Sequence, residues 1–319
     1  MRRAAIVFSL TLIAVPASWA QAVISAHSGM VNFVEGQVQL AGQPVKIDGA
    51  IFPEVKIGQT LSTQAGHAEI LLTPGVFLRL DRNTSFRMVA NKLTDTQVEI
   101  LSGSALVEAD EILKDNHVAV KMGDSETVLL KTGLYHFNAD AGQVRAFTGK
   151  AQVSEASKSA ELKGGRTLLV SSSLTTDKFD RNKSKDELYA WSLQRDSRLA
   201  LANVSAARSM TPGLASSLWA WDPWYGVYTF LPRSGYSYSP FGYAWYSPGS
   251  VWVAFQPAYN PNYNNGGYQA SNSSWQGASP SSSAASYSPS SNASTGAVGV
   301  STGSSSGAVA ASASASRGR

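Results

Sequence analysis

The chain has 319 residues, a formal net charge of +4 and no cysteine. The lack of thiols excludes disulfides, zinc–thiolate sites and cysteine nucleophiles, so the fold must be held by burial and hydrogen bonding. A small charge that is spread evenly is typical of a solvated surface and not of a phosphate-binding stripe. We therefore expect no nucleic-acid partner.

The N-terminus predicts an export signal in residues 1–20. Two arginines precede a largely apolar run, residues 4–17, and residues 18–20 place small side chains at the positions that a signal peptidase reads. The apolar run is shorter than the ~20 residues of a bilayer span, which argues against a retained anchor. We expect cleavage between Ala20 and Gln21 and a periplasmic, cell-surface or secreted protein with no transmembrane span.

Residues 22–175 predict a mainly β domain, because short runs of alternating polarity are separated by glycines. In residues 76–81, Leu78 and Arg79 would point to opposite faces, so we expect Leu78 in the core and Arg79 on the solvent side. Asp110 and Glu111 are also expected at the surface. About ten short strands are compatible with a sandwich, a barrel or a β-solenoid.

Residues 184–208 predict one amphipathic helix after the strands. Ser184 and Glu187 have the spacing of a capping box. Arg195 interrupts the apolar stripe of this helix, and we expect the helix to dock on the end of the β-domain through Trp191. The stripe recurs at helical spacing and comprises Leu188, Trp191, Leu199, Ala202 and Ala206.

Residues 212–263 are rich in aromatic side chains and punctuated by proline, which suggests a degenerate repeat of short hairpins. Beyond Arg208 only Asp222, Arg233, Arg317 and Arg319 are charged. So much uncharged aromatic area is rarely left in water. The segment could cap an open edge of the β-domain, stack on the sugars of a glycan, or contact a membrane interface or an envelope protein. The candidate contact residues are Trp219, Trp221, Trp224, Tyr225, Trp245, Tyr246 and Trp252.

The C-terminal residues 264–319 consist mainly of Ser, Ala, Gly and Asn and contain no Lys, Asp or Glu. Such a composition offers too little apolar side chain to offset the entropy of ordering the chain. We expect this tail to be disordered.

Several glycine-punctuated segments, taken in order, resemble the FecR family. Residues 29–40 are similar to the opening of a FecR domain, and residues 58–72 to its "G-x-x-L-x-T … G-x-A-x-L" core. The later strands of the family are matched by residues 75–85, 98–103, 133–137 and 144–153. The resemblance covers roughly residues 28–170 and implies a periplasmic β-domain, an antiparallel β-solenoid or sandwich-like fold, which is solenoid-like in the better understood relatives.

In FecR itself, the domain receives a signal from an outer-membrane receptor and passes it to a sigma factor. Only three residues precede the apolar N-terminal run here, so we expect no direct sigma-factor contact. The first hypothesis is a binding or signal-relay module, in which the FecR-like domain contacts an envelope partner and the aromatic segment helps to bind that protein or a glycan. The alternative is a structural or adhesive surface protein that uses the aromatic segment for glycan or envelope contacts.

No motif for catalysis is present in the sequence. The four histidines, His27, His67, His117 and His136, have no partner at metal-ligand spacing, and there is no nucleophile elbow or phosphate loop. We expect no enzyme activity, no cofactor and no bound metal.

Overall fold

A computed structural model describes residues 28–49, 51–170 and 174–255. The predicted export signal with its cleavage site at Ala20 and Gln21, residues 256–263 of the aromatic segment and the predicted disordered tail lie outside the described residues.

The first part of the chain is built of fifteen strands, more than the ten or so expected from the sequence. They are β1 (Met30–Leu40), β2 (Gln43–Pro44), β3 (Thr60–Leu71), β4 (Val76–Leu80), β5 (Ser85–Lys92), β6 (Asp95–Ser102), β7 (Ser104–Ala109), β8 (His117–Met122), β9 (Ser125–Leu129), β10 (Gly133–Asn138), β11 (Gln143–Ala146), β12 (Lys150–Glu155), β13 (Lys158–Lys163), β14 (Arg166–Leu169) and β15 (Thr176–Lys178).

All fifteen strands belong to one sheet, so the prediction of a mainly β fold is confirmed. The strand order is β13-β12-β9-β8-β6-β5-β3-β4-β7-β10-β11-β14-β15, with β1 paired to β2 and β3. The expected antiparallel arrangement is wrong at one place: β6 and β8 pair in parallel while the other described pairs are antiparallel, so the sheet is mixed. It curls until it is nearly barrel-shaped, and its concave side encloses the main core, which includes Leu78 as predicted.

Two glycines shape the long pairing of β1 with β3. Gly36 and Gly66 are direct partners in the register, which shifts between Gly36 and Val38. Gly36 has a φ of +70°, and a Cβ added at Gly66 would lie 2.1 Å from the carbonyl oxygen of Glu35. Side chains at both positions would force the strands apart, which explains why glycine occupies them.

The second part of the chain covers the convex side of the sheet with the remaining elements. These elements are α1 (Glu187–Ser209), β16 (Leu218–Asp222), β17 (Val227–Leu231), β18 (Tyr236–Tyr238), β19 (Ala244–Tyr246) and α2 (Pro248–Ala254).

Helix α1 begins three residues later than predicted, and Asp186 is its N-cap instead of Ser184. The Asp186 carboxylate accepts a hydrogen bond from the Tyr189 backbone N–H at 2.9 Å. Its other oxygen lies 3.1 Å from Nε2 of His136 on β10. Asp186 thus caps the helix and ties it to the sheet, which Ser184 could not do from its place in the preceding turn.

Trp191 docks α1 as predicted, but on the face of the sheet and not on its end. Its ring stacks on His67 of β3 with the ring centroids 4.9 Å apart, and it lies 6.3 Å from the ring of Phe33 on β1. Its indole N–H donates to Glu35 at 2.8 Å. The helix therefore buries the convex side of strands whose concave side already faces the core.

The aromatic segment forms two antiparallel hairpins, β16–β17 and β18–β19, in agreement with the predicted repeat of short hairpins. A second core lies between these hairpins, α1 and the sheet. At its centre, Phe77 of β4 contacts Trp219 and Trp245, with ring centroids 4.9 and 6.1 Å away. Phe230 of β17 completes the cluster against both tryptophans.

Two asparagine side chains fasten the hairpins to the rest of the domain. Asn203 of α1 donates to the carbonyls of Phe230 and Tyr246 and accepts from the Tyr246 N–H, at 2.8 to 3.0 Å. Asn32 of β1 both donates to the Tyr228 carbonyl and accepts from its N–H. Each amide thus satisfies backbone groups at hairpin edges that no strand covers.

The expected exposure of Arg79 and Asp110 is wrong. Arg79 does point away from Leu78, but its side chain is 0% exposed, because α1 and the hairpins cover that face of β4. Asp110 is buried at the same interface, while Glu111 is half-buried. Strand alternation predicted the direction of these side chains but could not reveal the layer that covers them.

Candidate binding surface

The structure divides the seven candidate contact residues between the interior and the surface. Trp219 and Trp245 belong to the second core and cannot reach a partner, and Trp221 is half-buried against Phe52 and Tyr228. These three side chains therefore pack inside the domain, where the segment covers a face of the sheet and not the open edge that the cap interpretation proposed. The other four candidates, Trp224, Tyr225, Tyr246 and Trp252, keep accessible area.

The turn between β16 and β17 presents Trp224 to solvent. Its side chain is 88% exposed, more than any other large apolar side chain among the described residues. The turn is fixed from inside by Asp222, whose carboxylate accepts from the backbone N–H groups of Trp224 and Tyr225 at 3.0 and 2.9 Å. An ordered turn therefore holds an exposed tryptophan in a defined place.

A row of four rings forms a second exposed site, which we call the tyrosine surface: Tyr238, Tyr236, Tyr246 and Phe255. Consecutive centroids in this row are 5.8, 6.3 and 5.5 Å apart. Tyr236 and Tyr238 are 62% and 65% exposed. Burial raises the pKa of Tyr246, and the nearby phenols of Tyr238 and Tyr236 raise it further. The three phenol groups are thus close neighbours on one hairpin.

A groove of about 570 Å³ adjoins the tyrosine surface, and we call it the serine groove. Two of its lining residues, Gly235 and Ser247, are the sequence neighbours of Tyr236 and Tyr246. The groove is lined by Gly213, Leu214, Arg233, Ser234, Gly235, Ser247, Gly249 and Ser250. The Ser247 N–H donates to the Gly235 carbonyl at 2.9 Å, and Ser250 bonds to the same carbonyl, so the wall is built of ordered backbone.

Arg233 is the exposed cation of the serine groove. Its backbone N–H donates to Ser217 Oγ at 3.0 Å, but its guanidinium forms no ion pair with any described residue. A second groove of about 440 Å³ is also lined by an arginine, Arg87, but this side chain is paired with Glu99 of the same groove at 2.5 Å. Arg233 is therefore free to meet an anion from outside.

Helix α2 closes this end of the domain and adds an exposed apolar flank. A capping box between Ser247 and Ser250 starts the helix, and Pro248 occupies its first turn. Trp252 is 52% exposed, and Val253 is exposed beside it. The guanidinium carbon of Arg208 lies 4.8 Å from the ring centroid of Phe255. The tyrosine surface thus continues onto α2.

A buried group of ionisable side chains lies between α1 and the sheet, and we call it the charge cluster: Glu69, Arg79, Glu108, Asp110, Arg195 and Asp196. Burial raises the pKa of Asp110 and of Asp196 well above the usual value, and the nearby Glu108 carboxylate raises both further. Every member is buried, so a dissolved substrate has no access. The cluster fits a structural role in joining α1 to the sheet.

In the described ranges, no three His, Asp or Glu side chains are grouped so that they could hold a metal ion. None of the helices in the same ranges combines the length and the apolarity that crossing a membrane requires.

The seven candidate contact residues do not include Arg233, Tyr236, Tyr238 or Phe255. Period-two alternation in a three-residue strand is too short to separate inward from outward rings. Arg233 had one usable signal, because it is the only basic residue between Arg208 and Arg317.

Comparisons with known proteins identify no family for this chain. No protein-family model matches it, and no curated protein matches it at a significant level. Two crystal structures, at 2.50 and 1.65 Å, are similar in part, and each is described as a "putative anti-sigma factor" from Parabacteroides distasonis. Both are 17% identical to this chain, with TM-scores of 0.34 and 0.35. The matches cover 39% and 42% of this chain and 61% and 64% of the other chains, less than two thirds of their length.

Proposed function

We propose that this chain is a non-enzymatic binding module of the bacterial cell envelope, in which the β-domain is the scaffold and the tyrosine surface is the contact site. The observation that carries the proposal is the row of neighbouring exposed rings on an ordered hairpin. Water-exposed aromatic rings cost free energy unless a partner covers them. The predicted export signal supports the envelope as the location.

The scaffold supports binding because it holds the rings in place before a partner arrives. Asn203 fixes the backbone of Tyr246 from α1, and the capping box of α2 fixes the groove wall. A preordered surface loses less conformational entropy on binding than a flexible one. Tyr side chains add both apolar area and a hydroxyl, which suits partners that are themselves amphipathic.

Co-sedimentation of the full chain with an insoluble envelope fraction, made of peptidoglycan sacculi and outer membranes, tests this function. We expect the wild type to sediment and a Tyr236→Ala/Tyr238→Ala variant to stay largely in the supernatant. The control is Leu201→Ala, which removes an exposed apolar side chain of α1. Equal sedimentation of both variants, or none by the wild type, would refute the proposal.

A relay function through a protein partner is the second candidate, and the exposure of Trp224 favours it. A single tryptophan on an ordered turn is a common energetic centre of protein–protein interfaces. Cross-linking in the native cell from a photoreactive residue placed at position 224 tests it. A cross-linked product that contains one distinct second protein supports the relay function. Products whose masses correspond to this chain alone argue against it.

A further inference from the structure

We propose that the serine groove and the tyrosine surface together bind an acidic polysaccharide, with the Arg233 guanidinium pairing with sugar carboxylates and the tyrosine rings packing against sugar faces. This inference rests on the proposed function, because it names the ligand class of the same surface.

The charge pattern selects an anionic ligand. In the described residues after Arg208 the only charged side chains are Asp222 and Arg233, and Asp222 is buried. Arg233 therefore meets no exposed acidic side chain on its own segment. A guanidinium offers two parallel N–H groups to a carboxylate, and such charge-assisted pairs are stronger than neutral hydrogen bonds.

The length of the ring row favours a polymer over a single sugar. The four rings of the tyrosine surface run in sequence with centroids 5.5 to 6.3 Å apart and neighbouring planes inclined by 39° to 85°, so the row is longer than one sugar ring and presents separate rings to successive units. The serine groove extends the same surface past Gly235 toward Arg233. An elongated chain can lie along both, whereas a small ligand would use one part only.

The chemistry of the lining favours a sugar over a lipid. Phenol hydroxyls of Tyr236 and Tyr238 and the hydroxyl of Ser234 lie on this surface, and hydroxyl groups pair with the hydroxyls of a glycan. Segments that bind anionic membranes use clusters of Lys and Arg, whereas Arg233 is the one basic side chain among the described residues that line the serine groove. The exposed Trp252 and Val253 lie on the flank of this surface, on α2.

Titration calorimetry of the full chain with alginate oligomers, a polyuronate, and with dextran oligomers of equal length tests the proposal. We expect at least tenfold tighter binding of alginate than of dextran. Arg233→Gln should weaken alginate binding about tenfold and leave dextran binding unchanged. Arg233→Lys should restore part of the affinity, because it returns the charge without the paired N–H groups. Rising salt should weaken alginate binding of the wild type more than that of Arg233→Gln.

The matched control is Arg198→Gln, which removes an exposed arginine from α1 and should stay within twofold of wild type. Equal affinities of Arg233→Gln and wild type for alginate would overturn the inference. Equal affinity of the wild type for alginate and dextran would also overturn the inference. If the Tyr236→Ala/Tyr238→Ala variant then lost binding to both polymers, the proposed function would still stand. Binding to phosphatidylglycerol vesicles in place of alginate would also overturn the inference. If no polysaccharide and no envelope fraction binds, both proposals fail together.

Discussion

Arg195 of α1 donates from Nη2 to Oε1 of Glu69 on β3 at 2.8 Å, inside the layer between helix and sheet. The second oxygen of Glu69 accepts from Nε of Arg79 at 2.9 Å. The Glu69 carboxylate thus bridges Arg79 on the neighbouring strand β4 and Arg195 on α1. Although burial opposes its ionisation, the guanidinium groups of Arg195 and Arg79 lower the pKa of Glu69 to about 2. The charge cluster therefore holds α1 on the sheet through ion pairs.

Replacing Glu69 with Gln should destabilise the domain by about 3–5 kcal/mol, because two buried guanidinium groups lose their shared carboxylate. The measurement is the free energy of unfolding in urea at pH 7. Glu126→Gln is the control, since its ion pair with Lys121 is partly exposed and should contribute less than about 1 kcal/mol. Similar losses in both variants would show that the bridge contributes no more than a surface pair.

Acid should weaken the same ion pairs. The pKa of Glu69 is lower in the folded state than the ordinary value of 4.5, so its contribution is present above that value and is lost as the pH falls toward about 2. We expect the stability difference between wild type and Glu69→Gln to shrink across this range. A difference that stays constant from pH 5 to pH 2 would contradict the ionised bridge.

Asp110→Asn should act in the opposite direction. Burial and the Glu108 carboxylate raise the pKa of Asp110, so its contribution is present at acid pH and is lost as the pH rises through the folded-state pKa. The neutral Asn should stabilise the domain at pH 8 by on the order of 1 kcal/mol and change little at pH 4. Urea unfolding at both pH values measures this. A change of equal size at both would rule out protonation as the cause.

Two tryptophans of the aromatic segment should differ sharply. Trp245→Ala removes a fully buried ring that packs on Phe77 and Phe230, and we expect a loss of about 3–5 kcal/mol. Trp224→Ala should stay within about 0.5 kcal/mol, because that ring is in water. Thermal unfolding of the two variants makes the comparison. A large loss of stability in Trp224→Ala would show that the turn between β16 and β17 depends on this ring although the ring is exposed.

Asn203→Ala should detach both hairpins from α1. The change leaves the carbonyl of Phe230 and the backbone of Tyr246 without their partner, at a cost of about 2–4 kcal/mol. It should also raise hydrogen exchange at Tyr246 while exchange in β3 and β4 remains slow. Asn182→Ala, in the exposed loop before α1, is the control. Unchanged exchange at Tyr246 would show that β19 is held by packing alone.

The sequence by itself determined the strand-rich class and the direction in which Leu78 and Arg79 point, because period two and glycine turns are local properties of the chain. The spacing of Pro and aromatic residues after residue 212 suggests short hairpins, because such spacing acts within a few residues. The core position of Leu78 followed from the same alternation.

Tertiary structure alone decided what lies over each face. Arg79 and Asp110 are buried because α1 and the hairpins, which come much later in the chain, fold back over β4 and the end of β7. Asp186, and not Ser184, caps α1, and its second oxygen lies 3.1 Å from Nε2 of His136, a contact that only the folded sheet provides. Trp245 entered the core while Tyr236 and Tyr238 stayed outside for the same reason: burial depends on contacts between distant segments, and local pattern carries no information about them.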